Sequence, residues 1–212
     1  MTGTAAGVVA IVLAAGAGSR FGGRKLLATI EGRPVLQHVL DRVAEAGIDR
    51  VIVVLGDDAR ELQAAVTWRD EVRVVNPEPG RGLSSSLRIG MAALPGDAAA
   101  ALIVLGDQPR VEPAVIRAVC AAGVDAERPV AVPVYADDRG RNPLLLGRAA
   151  FALVEAADGD RGLGPLIAAH PELVREVAID AGVGGLGNPD VDTRADHVRL
   201  LTSAWAARVR AN

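Results

Sequence analysis

The chain has 212 residues, of which half are hydrophobic and only 2% aromatic, and its formal net charge is −3. This length allows one large domain whose core is built from Ala, Val, Leu and Ile side chains. The slightly acidic net charge argues against a general nucleic-acid binder, and the single cysteine excludes an intrachain disulfide. No apolar run is long enough to span a membrane, and we expect a cytoplasmic protein.

The first predicted element is a buried strand, because Val8 to Leu13 is a continuous apolar run. A loop of small residues from Ala14 to Ser19, the glycine loop, follows this strand. Two arginines and Lys25, the only lysine of the chain, come next. Consecutive backbone N–H groups in such a loop bind anions, and an ammonium group is a point charge suited to phosphate. The loop fits neither the Walker A pattern nor the dinucleotide fingerprint, since Arg24 replaces the Walker lysine and Phe21 the third glycine. It therefore predicts a different kind of polyphosphate site.

The chain then alternates between apolar strands and amphipathic helices. The predicted strands run from Val51 to Leu55, Val72 to Val75 and Ala100 to Leu105, and the predicted helices from Pro34 to Ala46, from Asp58 to Val66, from Ser84 to Leu94 and from Glu112 to Ala121. Fully apolar strands separated by helices indicate a parallel sheet covered on both faces. Ligands bind beyond the carboxyl ends of such strands, so the glycine loop, the rigid 76–82 loop and Asp107 can meet at one site.

The second half, from about Arg128, predicts a small mixed β insertion on the substrate side. Segments 130–135 and 144–146 are interpreted as a strand pair, for which an antiparallel arrangement is one option, and Leu173 to Ile179 as a further strand. One helix is predicted for residues 149–156, and a second follows the turn of residues 158–162 and ends at about His170. The last predicted helix begins at about Arg194 or Ala195, and Thr193 can cap it. We expect one domain, residues 1–212, with halves 1–127 and 128–212.

The candidate catalytic groups are carboxylates rather than histidines. His38, His170 and His197 all fall in helical patterns and are predicted to be solvated, and no Ser-His-Asp set or histidine metal cluster is visible. A metal would therefore be held by carboxylates and be a hard ion, most simply Mg²⁺. Asp107 follows a buried strand, which suits a cation site at the edge of the sheet.

A second carboxylate is expected from the 190–192 segment. Asp190 and Asp192 flank Val191, so on an extended strand they point to the same face. Either can meet Asp107 across a metal ion, and the residues alone leave this choice open. Cys120 lies in an apolar helical pattern and is interpreted as a buried small hydrophobe.

Several segments, taken in order, resemble the MobA-like NTP transferase family, and most of all the molybdenum cofactor cytidylyltransferases (MocA-like). The segments are Leu13-Ala14-Ala15-Gly16-Ala17-Gly18-Ser19-Arg20-Phe21-Gly22 with Lys25, Gly82 to Leu87 with Gly90, Leu105-Gly106-Asp107-Gln108-Pro109, Gly140-Arg141-Asn142-Pro143-Leu144, Gly159-Asp160-Arg161-Gly162, and Asp190-Val191-Asp192-Thr193 with Asp196. The resemblance implies a Rossmann-like α/β fold of the nucleotide-diphospho-sugar transferase type. It also implies that the protein transfers a nucleotidyl group from an NTP and releases pyrophosphate.

The same resemblance implies a role for each matching residue. Nucleotide binding is implied for Leu13, Ala14, Ala15, Gly16, Ala17, Gly18, Arg20, Lys25, Gly82 and Ser86; catalysis for Arg20, Lys25 and Asp107; metal binding for Asp107 and Asp192; and acceptor binding for Gln108, Asn142, Pro143 and Asp160. No protein nucleophile is needed, because a phosphate of the acceptor attacks the α-phosphorus directly.

The choice of nucleotide depends on Ala15. The cytidylyltransferase branch resembles Leu-Ala-Ala-Gly at this point and the guanylyltransferase branch Leu-Ala-Gly-Gly, so we expect CTP as donor and molybdopterin as acceptor. The alternatives are GTP as donor, a sugar or alditol phosphate as acceptor, and a nucleotide- or cofactor-binding chaperone module without turnover. A molybdoenzyme or a chaperone is the protein partner that the resemblance suggests, and neither nucleic acid nor a membrane is expected as a partner.

Overall fold

The computed structural model describes residues 7–135, 140–180 and 191–202. Its strands are β1 (Val8–Ala14), β2 (Thr29–Ile30), β3 (Arg33–Pro34), β4 (Val51–Leu55), β5 (Val72–Val75), β6 (Ala100–Leu105), β7 (Val130–Val134), β8 (Leu144–Gly147) and β9 (Val174–Ala178). Its α-helices are α1 (Val35–Glu45), α2 (Ala59–Ala65), α3 (Leu83–Ala92), α4 (Pro113–Ala122), α5 (Gly164–Ala169) and α6 (Arg194–Thr202), and residues 148–156 form a 3₁₀ helix.

A seven-stranded sheet in the order β5-β4-β1-β6-β8-β7-β9 organises these elements. Its strands are parallel except β8, which pairs antiparallel with both β6 and β7. The predicted α/β fold with a mostly parallel sheet is confirmed, and so is the antiparallel option for the pair in the second half. Apolar runs identified the strands because β1, β4 and β8 are buried along their whole length.

Helices cover both faces of the sheet, as the sequence predicts. Alternate residues of β1 point to opposite sides, so Ala10 and Val12 pack with α1 and α4, while Ile11 and Leu13 pack with α3 and α5. The strand order reverses beside β1, with β4 and β5 on one side and β6 on the other. Such a reversal opens a crevice at the carboxyl edge of a sheet, and ligands bind there in open α/β folds.

A short hairpin of β2 and β3, which the sequence patterns did not predict, changes the environment of α1. The strands pair antiparallel, and the connecting residues Glu31 and Gly32 both have positive φ, at 52° and 77°. The hairpin approaches α1, where the His38 Nε2 lies 2.8 Å from the carbonyl oxygen of Ile30. His38 is only 7% exposed, so its predicted solvation is wrong.

The other two histidines and the cysteine also have defined places. His170 is exposed as predicted, whereas His197 is half-buried and packs edge-on against Phe21, with ring centroids 6.0 Å apart. Cys120 is buried in the core, as its pattern predicts. Within the described part of the chain, none of the helices combines the length and the apolar character needed to cross a membrane.

Candidate active site

A cavity of about 550 Å³ opens at the carboxyl edge of the sheet. It is lined by Leu13, Ala15, Gly16, Ala17, Gly18, Ser19, Arg20, Lys25, Leu26, Pro79, Gly80, Gly82, Leu83, Ser86, Leu105, Asp107, Asp160 and Asp192. Most of the residues implied in nucleotide binding, and both carboxylates implied in metal binding, therefore meet here. Ala14 is the exception, because it is buried as the last residue of β1.

The glycine loop forms one wall of this cavity. Gly18 has φ of 59°, and its carbonyl oxygen accepts hydrogen bonds from the N–H groups of Phe21 and Gly23, both at 2.9 Å, which folds the loop back on itself. Within the described residues, the N–H groups of Gly16, Ala17 and Gly18 donate to no backbone carbonyl. A ligand that accepts hydrogen bonds can therefore take them, as in other anion-binding nests.

Lys25 lies at the floor of the cavity because the glycine loop packs against its aliphatic stem. A Cβ added at Gly18 would lie 3.2 Å from the Lys25 Cγ, so a side chain at that position would press on the lysine. The ammonium forms an ion pair with Asp107, and its Nζ lies 3.4 Å from the Asp192 Oδ1. The side chain of Lys25 is only 11% exposed and that of Asp107 18%, so the pair is largely shielded from water.

The backbone aligns the two carboxylates. Asp107 follows β6, and its carbonyl oxygen accepts a hydrogen bond of 3.0 Å from the N–H of Val191, which is fully buried. This contact brings the side chain of Asp192 beside that of Asp107. Arg20 approaches from the solvent side, with its NH1 3.7 Å from the Asp192 Oδ2.

Helix α6 fixes this segment against the first loop. Thr193 and Asp196 form a capping box, since the Asp196 N–H donates to the Thr193 Oγ1 at 3.2 Å and the Thr193 N–H to the Asp196 Oδ2 at 2.7 Å. The predicted cap is confirmed. Farther along the helix, the His197 Nε2 lies 2.9 Å from the carbonyl oxygen of Thr29. The helix thereby ties the 191–193 segment to the region that carries Lys25.

The electrostatics of Lys25 follow from its neighbours. Burial disfavours the charged ammonium, but the charges and hydrogen bonds of Asp107 and Asp192 outweigh this effect, so the pKa of Lys25 is raised above its usual value. The ammonium is therefore fully protonated at neutral pH. It neutralises part of the acidic charge at the floor of the cavity.

The two carboxylates fit a divalent metal ion. They already converge on one cation, the Lys25 ammonium, and carboxylate oxygens are the ligands that Mg²⁺ prefers. Among the described residues, no group of three or more His, Cys, Asp or Glu side chains is placed to hold a metal. Mg²⁺ needs no such group, because it is commonly held by one or two carboxylates together with substrate phosphates and water. Asp190, the other candidate ligand, lies outside the described residues.

The 76–82 loop forms the opposite wall, and its anchor is a residue that the sequence analysis missed. Asn76 is 1% exposed, and its Nδ2 donates to the hydroxyls of Ser85 and Ser86 at 3.1 and 3.0 Å. Its Oδ1 accepts from the N–H of Glu78 at 2.9 Å. An asparagine directly after a strand and before a proline was the available signal. Asn76 holds Ser86, which lines the cavity, on the first turn of α3.

Gly82 joins this wall to the second half of the chain. Its backbone has φ of 90° and ψ of −177°, which is accessible essentially to glycine alone. A Cβ at this position would lie 2.6 Å from the Asp160 Oδ1 and 2.7 Å from the carbonyl carbon of Gly159. The absence of a side chain therefore allows the 159–162 loop to close directly over the start of α3.

The residues implied in acceptor binding are placed differently from one another. Asp160 lines the main cavity, whereas Asn142 lines a neighbouring cavity of about 250 Å³. Gln108 and Pro143 are buried and line neither of these two cavities. Their role in acceptor binding stays a prediction.

A model of the MobA-like NTP transferase domain matches residues 10–174, which include the glycine loop, Lys25 and Asp107. The chain belongs to the MobA-like NTP transferase family. The matched domain is an NTP transferase domain, and the fold is like that of the nucleotide-diphospho-sugar transferases.

Solved structures of similar proteins cover nearly the whole of this chain. Rv0371c from Mycobacterium tuberculosis is 34% identical, with a TM-score of 0.79 over 92% of this chain and 98% of that one, and a further structure of Rv0371c is a complex with manganese. A nucleotidyl transferase from Methanothermobacter, Mth528, is 27% identical, with a TM-score of 0.76 over 97% of this chain and 99% of that one.

Among curated proteins, the bifunctional protein GlmU of Sphingopyxis alaskensis is 38% identical over 156 residues, or 73% of this chain. The matched region is only 32% of GlmU, so the chain described here spans about a third of the length of that relative.

Proposed function

We propose that the protein transfers CMP from CTP to the phosphate of molybdopterin or its molybdenum-bound form and releases pyrophosphate in a Mg²⁺-dependent reaction. The observation that carries the proposal is the convergence of Asp107 and Asp192 on one cation, Lys25, beside the glycine loop. A manganese complex of the similar Rv0371c supports a divalent metal in this reaction. In this proposal, residues 1–127 contribute most of the nucleotide site and residues 128–212 most of the acceptor site.

The residues of the cavity have separate tasks in this reaction. The N–H groups of the 16–18 loop hold phosphate oxygens, and Arg20 and Lys25 balance the charge of the triphosphate. Asp107 and Asp192 would hold Mg²⁺, which supplies charge neutralisation at the phosphoryl oxygens when it is bound. Lys25 would then exchange its carboxylate partners for oxygens of the triphosphate.

The transfer needs no group of the protein as nucleophile. An oxygen of the acceptor phosphate forms a bond to the α-phosphorus of CTP, and the bond from that phosphorus to the bridging oxygen of the β-phosphate breaks. Pyrophosphate leaves with the electron pair of the broken bond. The protein contributes alignment and charge stabilisation, for which the cavity supplies two cationic side chains and two carboxylates.

The preference for CTP rests on the backbone beside Ala15. Ala15 is buried, and a Cβ added to the neighbouring Gly56 would lie 2.6 Å from its carbonyl oxygen, so the loop has little room to shift here. We infer that Ala15 limits the space for the base. The Ala15→Gly variant tests this inference, and a gain of turnover with GTP relative to CTP is the expected result.

Pyrophosphate release with CTP, GTP, ATP and UTP in turn, with Mg²⁺ and molybdopterin, tests the whole proposal. Asp107→Asn should lower turnover by about 10²- to 10³-fold, the usual loss for one electrostatic group of a reaction centre. Asp97→Asn is the matched control, because Asp97 precedes β6 at the opposite edge of the sheet and forms an exposed ion pair with Arg50. Equal activity of the two variants would disprove the role of Asp107, and binding of molybdopterin without turnover of any NTP would favour a chaperone module.

A further inference from the structure

His197 of α6 contacts both ends of the segment that carries Lys25. Its ring packs edge-on against Phe21, with the ring centroids 6.0 Å apart and the two planes at 79°. Its Nε2 lies 2.9 Å from the carbonyl oxygen of Thr29. Lys25 is midway between these two residues in the sequence. One imidazole ring therefore spans residues 21–29, although it does not line the cavity.

Helix α6 begins directly after the segment that carries Asp192, the second candidate metal ligand. The N–H of His197 donates to the carbonyl oxygen of Thr193 at 3.2 Å, which joins the histidine to this segment through the first turn of the helix. The side chain of Asp192 is 44% exposed, so packing around the carboxylate holds it only in part. The placement of α6 therefore helps to determine where this carboxylate lies relative to Lys25.

Few other contacts attach α6 to the rest of the protein. Along this helix, Leu200 is the one buried residue. The Arg194 Nε donates to the carbonyl oxygen of Phe21 over a long distance of 3.4 Å. The capping box stabilises the helix itself rather than its attachment. Within the described part of the chain, the two contacts of His197 are therefore a large share of the interactions that hold α6 in place.

We propose that His197 is a positioning residue: by attaching α6 to the 21–29 segment, it aligns Asp192 for the divalent metal ion that the two carboxylates bind. The inference rests on the proposed transfer reaction, in which this ion is Mg²⁺. A carbonyl oxygen only accepts hydrogen bonds, so the Nε2 of His197 carries the proton that it shares with Thr29. Removal of a group that orients a metal ligand from outside typically lowers metal affinity by about 10- to 100-fold.

The metal-dependent part of nucleotide binding measures this role separately from general damage to the cavity. Calorimetry gives the Kd of CTP for the full-length chain in EDTA and in Mn²⁺, and the ratio of the two values is the gain that the metal supplies. In His197→Ala this gain should fall by about tenfold. The Kd in EDTA should not change, because the hydrogen bonds of Gly18 that fold the glycine loop remain. A loss of affinity in EDTA as large as that in Mn²⁺ would overturn the inference.

Two conservative variants separate the two contacts of the imidazole. His197→Gln keeps a side-chain N–H donor and removes the ring, while His197→Phe keeps a ring and removes the donor. Each should retain part of the gain that alanine loses, and the inference is wrong if both lose as much as alanine. His170→Gln is the matched control, because His170 is exposed, lies beside Glu172 and lines neither cavity. A thermal unfolding curve of each variant verifies folding.

A double-mutant cycle tests whether His197 acts through Asp192. Asp192→Asn removes the charge of the ligand and keeps its shape. We expect His197→Ala to lower the metal-dependent gain in the wild-type background and to have no further effect in the Asp192→Asn background. Equal effects in both backgrounds would contradict the positioning role while CTP binding by the wild type stays intact. If CTP fails to bind to the wild-type protein, the transferase proposal itself falls, and this inference with it.

Discussion

Replacement of Lys25 by methionine tests the centre of the candidate site without any substrate. The substitution keeps an unbranched side chain and removes the ammonium, so Asp107 and Asp192 lose their shared partner. Exposed ion pairs contribute up to about 1 kcal/mol and breaking a fully buried pair costs about 3–5 kcal/mol. Because Lys25 is 11% exposed and Asp107 18%, we expect a loss of about 2 kcal/mol, or about 6 °C in Tm for a chain of this size.

The same variant should gain affinity for a divalent cation. In the wild-type protein the ammonium competes for the two carboxylates, and in Lys25→Met this competitor is gone. Mn²⁺ at about a hundred times its Kd would then stabilise the variant by about 2.7 kcal/mol and restore its Tm. Thermal unfolding in EDTA and in a Mn²⁺ titration, both without nucleotide, measures the two effects.

Arg24→Met is the matched control for both measurements. Arg24 precedes Lys25 and forms an ion pair with Glu61 at 3.1 Å, but its side chain is 71% exposed. We expect a change below about 1 kcal/mol and no change in the response to Mn²⁺. The reasoning is refuted if both variants lose the same stability, or if Mn²⁺ raises the Tm of Lys25→Met no more than that of the wild type.

Three further predictions follow from the packing and the pKa values. Gly82→Ala should lower the free energy of unfolding by at least about 2 kcal/mol and weaken CTP binding, because its backbone suits glycine alone and a Cβ would meet the 159–160 loop. In calorimetry, Gly96→Ala should change neither quantity, because a Cβ at Gly96 would lie in open space and Gly96 does not line the cavity. Burial lowers the pKa of His38, so protonation of its imidazole favours the unfolded state. The contribution of His38 to the free energy of unfolding should be complete above about pH 6.5 and decline as the pH falls below this value. Urea titrations at several pH values should show a smaller pH dependence of the free energy of unfolding in His38→Gln. Burial raises the pKa of the Cys120 thiol to about 11, so a disulfide reagent should react slowly at neutral pH until denaturant is added.

The strands could be predicted from the sequence because burial on both faces leaves a continuous apolar run. In β1 and β4 this signal is independent of the rest of the fold, since any parallel strand in the middle of the sheet needs it. The hairpin of β2 and β3 gave no comparable signal. Its strands have two residues each, and its turn has glutamate where asparagine or aspartate is typical.

The wrong prediction for His38 follows from that missed hairpin. His38 lies off the main apolar stripe of α1, which in an isolated helix means exposure to solvent. In the fold, Ile30 covers this position, and its carbonyl oxygen lies 2.8 Å from the His38 Nε2. The periodicity of a helix shows only which of its own residues share a face. It gives no information about a neighbour from another part of the chain.

The candidate site shows the same division between local and long-range information. The glycine loop and Asp107 could be proposed from the sequence because each directly follows an apolar strand. The contact between Lys25 and Asp192 joins residues 167 positions apart and depends on the hydrogen bond from Val191 to the carbonyl of Asp107. No local pattern encodes that hydrogen bond, so the residues alone left Asp190 and Asp192 as equal candidates, and the choice of Asp192 came from the family resemblance.

The acceptor side carries the least sequence information, and the reason lies in how its cavity is built. Its aliphatic wall draws residues from β1, β6, β8, α3 and α5, each of which is also a normal core residue of its own element. Its two charged lining residues, Arg141 and Arg161, depart from a core pattern, and in the sequence they are two arginines among many. Arg161 comes to this cavity because two glycines, Gly82 and Gly162, lack the side chains that would keep its loop away from α3. The shape of this cavity thus depends on backbone proximity that residue types alone do not specify.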